Sequence, residues 1–259
     1  MKKIVFIDVD GTIYKSHQLL IDESINNALL DLSKHADLYL STGRCDAVLA
    51  PLGSAVEYFK GMVLSNGALV YLNKKIIVDE RINKDNLKQL IKVAKKHKMN
   101  IALITKDKVF INEFTEVVDY ALTPFKENSI VVLNSYDFDL DLEYNMAWSF
   151  DKKEDILKLQ EECPCFSYFF WGSIGADIII KNISKAYGIK HLLKQIDKDT
   201  YTYAIGDSNN DLEMFDLVDV PICMDNGSED AKQKAKHITE SIYDNGFENA
   251  VSKIIKGEW

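Results

Sequence analysis

The chain is organised around a series of short apolar runs without polar alternation. Each stops at a polar or glycine-containing turn and is followed by a stretch with helical spacing. Ile4-Val5-Phe6-Ile7 is the first of these runs. A strand with one wet face alternates apolar and polar residues, so an unbroken run means burial on both faces, as in a parallel sheet covered by helices. The scheme continues with helical spacing over Asp22 to Lys34 (Ile25, Ala28, Leu29, Leu32), apolar Asp37 to Leu40, a second helix at about Asp46 to Tyr58, and Met62-Val63-Leu64. It resumes near the other end with strand Tyr201 to Ile205, a helix from Asn209 to Phe215, strand Val218 to Met224, and helices over Asp230 to Lys236 and Phe247 to Ile255. Strand and helix in alternation predict an α/β fold with a parallel sheet flanked by helices.

The middle of the chain lacks that alternation. Ala68 to Tyr71 and Lys75 to Val78 read as a hairpin around Leu72-Asn73-Lys74, and a long helix follows at about Lys84 to Lys98. Short β-like runs come next (Ile101 to Ile104, Ser129 to Leu133, Asn145 to Phe150, Ile178 to Lys181), with a helix near Lys152 to Glu161. This pattern predicts an α+β unit over residues 80–182, inserted into a core made of residues 1–79 and 183–259.

Charge limits what the chain can bind. A formal net charge of −9 over 259 residues excludes a general binder of nucleic acid or anionic membrane, which needs clustered positive charge. An anionic ligand has to be met by a local positive site. The apolar run after Met1-Lys2-Lys3 reaches a charge at Asp8, too short for a signal peptide or membrane span, so a cytoplasmic location is expected. Cys163-Pro164-Cys165 has one spacer residue, against the two to four of structural zinc sites, and reduced, structural thiols are expected here and at Cys45 and Cys223.

Four segments carry chemistry. Asp8-Val9-Asp10-Gly11-Thr12 sets two carboxylates just past the first strand, at the edge where open α/β sheets bind ligands. Such a pair suits phosphoryl transfer, one acid attacking phosphorus while its neighbour moves the proton; alone, it could equally be a solvated loop. Leu40-Ser41-Thr42-Gly43-Arg44 offers a hydroxyl and backbone N–H groups for an anion, or a helix cap. Gly206-Asp207-Ser208-Asn209-Asn210-Asp211 supplies carboxylates of the kind hard Mg²⁺ prefers, or again a polar cap. In Asn182-Ile183-Ser184-Lys185-Ala186, Lys185 falls in the first turn of a helix, where the dipole disfavours it, so it reads as a phosphate cation or a surface lysine.

Together and in this order, these segments resemble the haloacid dehalogenase superfamily of phosphohydrolases, most of all its Cof-type branch. Ser65-Asn66-Gly67-Ala68 and the region of Met224-Asp225-Asn226-Gly227 share the likeness, with Ala186 and Asp225-Asn226-Gly227 departing from the usual pattern. The resemblance implies a Rossmann-like core with an inserted α+β cap, and a Mg²⁺-dependent phosphatase working through an aspartyl phosphate. It implies Asp8 as nucleophile and Asp10 as general acid and base. Mg²⁺ would be held by Asp8, the Asp10 backbone carbonyl and Asp207, with Asp211 orienting the metal site. Phosphate would meet the Val9 backbone, Thr42, Gly43, Lys185 and Asn210. The expected substrate is a small phosphorylated metabolite, with sugar phosphates ahead of pyridoxal phosphate and flavin mononucleotide; Trp171 and Ser173 are candidates for choosing it. A phosphomutase or a non-catalytic sensor would be the alternatives for the same pocket.

Overall fold

The computed structural model describes residues 2–122, 129–196 and 199–259. In chain order the strands are β1 (Lys2–Ile7), β2 (Asp37–Ser41), β3 (Phe59–Leu64), β4 (Leu69–Leu72), β5 (Lys75–Asp79), β6 (Ile101–Ile104), β7 (Val109–Ile111), β8 (Ile130–Val132), β9 (Met146–Lys152), β10 (Phe166–Phe170), β11 (Ile174–Ile180), β12 (Thr200–Gly206), β13 (Val220–Met224) and β14 (His237–Thr239). The helices are α1 (Glu23–Ser33), α2 (Lys84–Lys96), α3 (Glu116–Leu122), α4 (Lys153–Glu162), α5 (Lys185–Leu193), α6 (Leu212–Phe215), α7 (Glu229–Lys234) and α8 (Gly246–Lys256).

The first sheet has the order β14-β13-β12-β1-β2-β3-β4-β5, parallel as far as β3 and antiparallel beyond. Its central strand is buried on both faces, as the unbroken run requires. Val5 and Ile7 pack with α1 and α8, while Ile4 and Phe6 pack with α5, α6 and α7. Each such side chain contributes ~2 kcal/mol on burial. Ile7 is in register with Leu40 on one side and Ile205 on the other, so β1, β2 and β12 end side by side. The order reverses at β1, which opens a crevice at the carboxyl ends of these strands.

The second sheet has the order β10-β11-β9-β6-β7-β8 and is antiparallel except for the β7–β8 pair. Leu87, Leu90 and Val93 of α2 and Ile156 and Leu159 of α4 cover one face. The opposite face, with Ile104, Met146, Trp148 and Ile179, packs against Cys45, Ala47, Val48 and Ala68 beside the first sheet. This contact brings the second sheet over the crevice.

Two local results differ from the periodicity. The helix expected over Asp46 to Tyr58 is a pair of 3₁₀ segments, Asp46–Val48 and Ala50–Tyr58. Pro51 enters the second of them and Gly53 breaks it at φ 52°, ψ −132°, a conformation that no α-helix accommodates. The predicted runs also omit β7, α3, β10 and β14, whose three, seven, five and three residues are too few for a period to show. The hairpin turns on Asn73 and Lys74, both at positive φ, the twist that a tight β-turn needs. Among the described residues, no helix is long and apolar enough to cross a membrane.

Candidate active site

The Asp8 N–H donates to the Ile205 carbonyl at 3.0 Å, continuing the ladder one residue past β1. The chain then closes into a tight loop in which the Val9 carbonyl accepts from the N–H groups of Thr12, Ile13 and Tyr14. Gly11 sits at φ 78°, and a side chain there would collide with the Asp207 carboxylate. Glycine is therefore what lets the first loop press against the loop after β12.

Beneath this contact lies Lys185, the first residue of α5, with Ser184 capping the helix. Its side chain is fully buried, and Nζ donates to Asp8 Oδ1 at 2.6 Å and to Asp211 Oδ1 at 2.7 Å. Burial works against the charge on Lys185, but Asp211 and Asp8 outweigh it and its pKa is raised. The other oxygen of Asp211 accepts from the N–H groups of Asp207 and Ser208 at 3.0 and 3.1 Å. One oxygen of Asp211 thus takes the capping role that the sequence offered, while the other pairs with Lys185.

Asp8, Asp207 and Asp211 each bring one oxygen to within 4.8 Å of the others. Burial pushes Asp8 up to about 7, with Lys185 pulling it down and Asp211 and Asp10 adding to the rise. Burial pushes Asp207 up to about 9, with Asp8 and Asp211 adding to it. Among the described residues, one lysine pairs with two of the three carboxylates, and the buried Oδ1 of Asp207 has no hydrogen-bond partner. An orphaned carboxylate oxygen in an all-oxygen cluster short of positive charge fits a hard divalent cation such as Mg²⁺.

Asp10 points elsewhere. Its exposed carboxylate is held by the guanidinium of Arg44, with Nη2 at 2.7 Å from Oδ1 and Nε at 2.9 Å from Oδ2. Arg44 also donates to the Val48 carbonyl and lies 4.5 Å from the centre of the Tyr14 ring. Thr42 is buried, and its hydroxyl oxygen accepts the Arg44 N–H at 3.1 Å. A Cβ on Gly43 would come within 2.8 Å of Asp177 Oδ2 and 2.9 Å of Asn66 Nδ2, so the second sheet and the loop after β3 close directly onto this turn.

A cleft of about 810 Å³ opens above these groups. Asp8, Asp10, Gly43, Asp207 and Asn210 line one end, and Trp148, Tyr168, Phe169 and Trp171 form a wall from the second sheet. Val9, Thr42, Lys185 and Asp211 are buried and are not among the lining residues. Trp171 stands edge-on to Trp148 and Phe150, with ring centres 6.1 and 5.8 Å away. Ser173 is exposed and does not line the cleft; its carbonyl accepts the Lys153 N–H that begins α4.

Three residues of the site carried no assigned role on the sequence. Arg44 follows Gly43 directly, and its charge at a buried strand end was the available signal. Asn66 is fully buried within Ser65-Asn66-Gly67, three consecutive residues at positive φ. Asp177 is a buried acid inside the apolar strand β11; burial pushes it up to about 7, against the pull of hydrogen bonds from Asn66 and Trp171. The unusual Asp225-Asn226-Gly227 turn also has a local explanation. Asn226 Nδ2 donates to the Gly11 carbonyl at 2.9 Å, tying the loop after β13 to the first loop.

Comparison with known proteins identifies the family and the fold. The sequence model of a family described as haloacid dehalogenase-like hydrolase matches residues 5–251. MG265 of Mycoplasma genitalium is 27% identical over 95% of this chain and 94% of its own. YkrA of Bacillus subtilis is 26% identical over 97% of each chain, and both relatives are provisionally named phosphatases. Among solved structures, the subclass IIB sugar phosphatase BT4131 shares the fold with a TM-score of 0.86, at 21% identity over 98% of this chain and 99% of its own.

Proposed function

Because the chain belongs to the haloacid dehalogenase-like hydrolases and is a phosphatase, we propose that it frees phosphate from small phosphorylated metabolites, sugar phosphates first, with Asp8 as nucleophile. The observation that carries this reading is the placement of Asp8. It lies at the cleft, its Oδ1 held from below by Lys185, beside the unpartnered oxygen of Asp207.

Two anions do not meet at bonding distance without compensation. Lys185 offsets the charge of Asp8, and Asp211 keeps Lys185 in place while fixing the turn that carries Asp207. Mg²⁺, held by Asp8, the Asp10 backbone carbonyl and Asp207, would supply the further positive charge that phosphoryl transfer needs. Asp8 attacks phosphorus as the bond to the leaving oxygen breaks, and Asp10, once it has turned from Arg44 and taken up a proton, gives that proton to the leaving oxygen. The resulting phosphoaspartate is then attacked by water, whose proton returns to Asp10. The Val9 backbone, Gly43, Lys185, Asn210 and the Thr42 hydroxyl bind the phosphate. The hydroxyl oxygen of Thr42 already accepts from Arg44, which leaves its hydrogen to donate. The unit over residues 80–182 acts as the cap, with the aromatic wall ending in Trp171 facing the organic part of the substrate and water excluded on closure.

The test is phosphate release from a panel of phosphorylated metabolites in Mg²⁺. Activity should vanish in EDTA and return with Mg²⁺; an enzyme indifferent to chelation removes the metal from the scheme. A mutase would convert its substrate with little free phosphate.

Stability of the metal-free protein follows from the same carboxylates. Asp8 and Asp207 titrate higher in the folded chain than in the unfolded one. The folded state therefore keeps protons that the unfolded chain has released, and stability falls as pH rises. The loss begins above the ordinary carboxylate range and runs through about 7 and about 9. Thermal unfolding in EDTA should show a falling Tm across this window, at roughly 2–4 °C per kcal/mol for a chain of this size. Mg²⁺ should raise Tm more at the alkaline end than at the acid end, and an equal rise at both would contradict the assignment.

A further inference from the structure

Asp177 is a buried carboxylate that the reaction above does not use. Its Oδ1 accepts the indole N–H of Trp171 at 3.1 Å, and its Oδ2 accepts from Asn66 Nδ2 at 2.6 Å. Asn66 Oδ1 accepts from Asn210 Nδ2 at 3.1 Å, and Asn210 Oδ1 accepts from the Ser208 hydroxyl at 2.7 Å. The series runs from the second sheet, through the loop after β3, to the loop after β12.

Its direction is imposed from one end. An indole N–H only donates and an ionised carboxylate only accepts, whereas a carboxamide can turn either end to a neighbour. With Asp177 accepting, Asn66 must give it the NH₂ group and keep its oxygen for Asn210, which must answer with its own NH₂. Asn66 has no room to evade this. It is fully buried, its backbone N–H donates to the Thr42 carbonyl at 3.1 Å, and it lies at φ 50° between two further residues at positive φ. Both oxygens of Asp177 face donors, the arrangement suited to its ionised form.

We propose that Asp177 is a positioning residue for phosphate binding: acting through Asn66, it holds the Asn210 carboxamide so that the second hydrogen of its NH₂ donates to a phosphate oxygen. This rests on the reading of Asn210 as a phosphate contact. In an Asp177→Asn variant Trp171 still donates, so the new amide turns its oxygen to the indole and its NH₂ to Asn66. Asn66 and then Asn210 must turn over, and Asn210 loses the donor that the phosphate needs. Adding Asn66→Asp puts an acceptor-only group next to Asn210 and restores its orientation; aspartate tolerates the left-handed backbone there.

The experiment measures inhibition by inorganic phosphate and turnover of p-nitrophenyl phosphate for the Mg²⁺-loaded enzyme in weakly alkaline buffer. Asp177→Asn should weaken phosphate binding by roughly 10- to 100-fold, the range for one hydrogen bond to a charged group. Asp177→Asn/Asn66→Asp should recover most of that loss. A residue that served only the packing of the second sheet, or touched only the organic part of the substrate, would show neither the loss for inorganic phosphate nor the recovery. Wild-type phosphate inhibition in Asp177→Asn, or a folded double variant no better than the single one, overturns the proposal. If Asp177→Asn does not fold, the double variant decides: near-normal phosphate binding supports the relay and weakened binding overturns it. Asn210→Ala separates the two readings. If it leaves phosphate inhibition unchanged, the assignment of Asn210 itself is wrong and the relay falls with it; if it weakens inhibition, only the relay is under test.

Discussion

Asp8→Asn should lower phosphate release by about 10⁴- to 10⁶-fold, the scale seen when a catalytic nucleophile is removed. Asparagine matches aspartate in shape, so the loop and its backbone bonds to Ile205, Thr12 and Tyr14 have no reason to move. Its amide oxygen can still accept from Lys185, which also keeps its ion pair with Asp211. What disappears is the anionic oxygen that attacks phosphorus. Burial raises the pKa of Asp8, so replacing it with a neutral group should leave the Tm of the metal-free protein unchanged or higher, most clearly above neutral pH. Steady-state kinetics and thermal unfolding on the same preparation check both halves. Near-normal turnover would sink the assignment of the nucleophile.

Lys185→Met should give the largest loss of stability, about 3–5 kcal/mol, because it removes the sole described partner cation of two buried carboxylates. The methionine fills most of the space, so the loss is electrostatic rather than a cavity effect. Asp8 and Asp211 would face each other across an apolar side chain, and the cap that Asp211 makes on Asp207 and Ser208 would be strained with them. Urea unfolding in EDTA should reveal the loss, and Mg²⁺ should restore part of it by supplying positive charge to the same cluster. Activity should fall by at least ~100-fold even with Mg²⁺, since Asp8 is no longer held. A variant destabilised by less than ~1 kcal/mol would show that Lys185 is not the counter-ion of this core.

Much of the first sheet was legible from local pattern. The observed β1, β2, β12 and β13 begin and end within two residues of the apolar runs that predicted them. The reason is that burial on both faces of a strand leaves a mark within the strand itself, and the first charge after it marks where the strand stops. The local pattern therefore sets Asp8, Thr42 and Asp207 at one sheet edge. The second sheet was less legible, because β6, β7 and β8 have only four, three and three residues and the half-exposed aromatic residues of β10 fit core and cleft alike.

Which runs are strands, which faces they bury, and which polar residues stand at their carboxyl ends all follow from neighbours a few positions apart in the sequence. Packing, by contrast, is what closes Arg44 on Asp10, buries Lys185 between Asp8 and Asp211, and brings Asp177 to Asn66. Each of these joins residues far apart along the chain, and no periodicity records such a pairing. Lys185 could be read as a surface lysine or as a buried counter-ion until the packing of α5 against the sheet placed its charge among carboxylates.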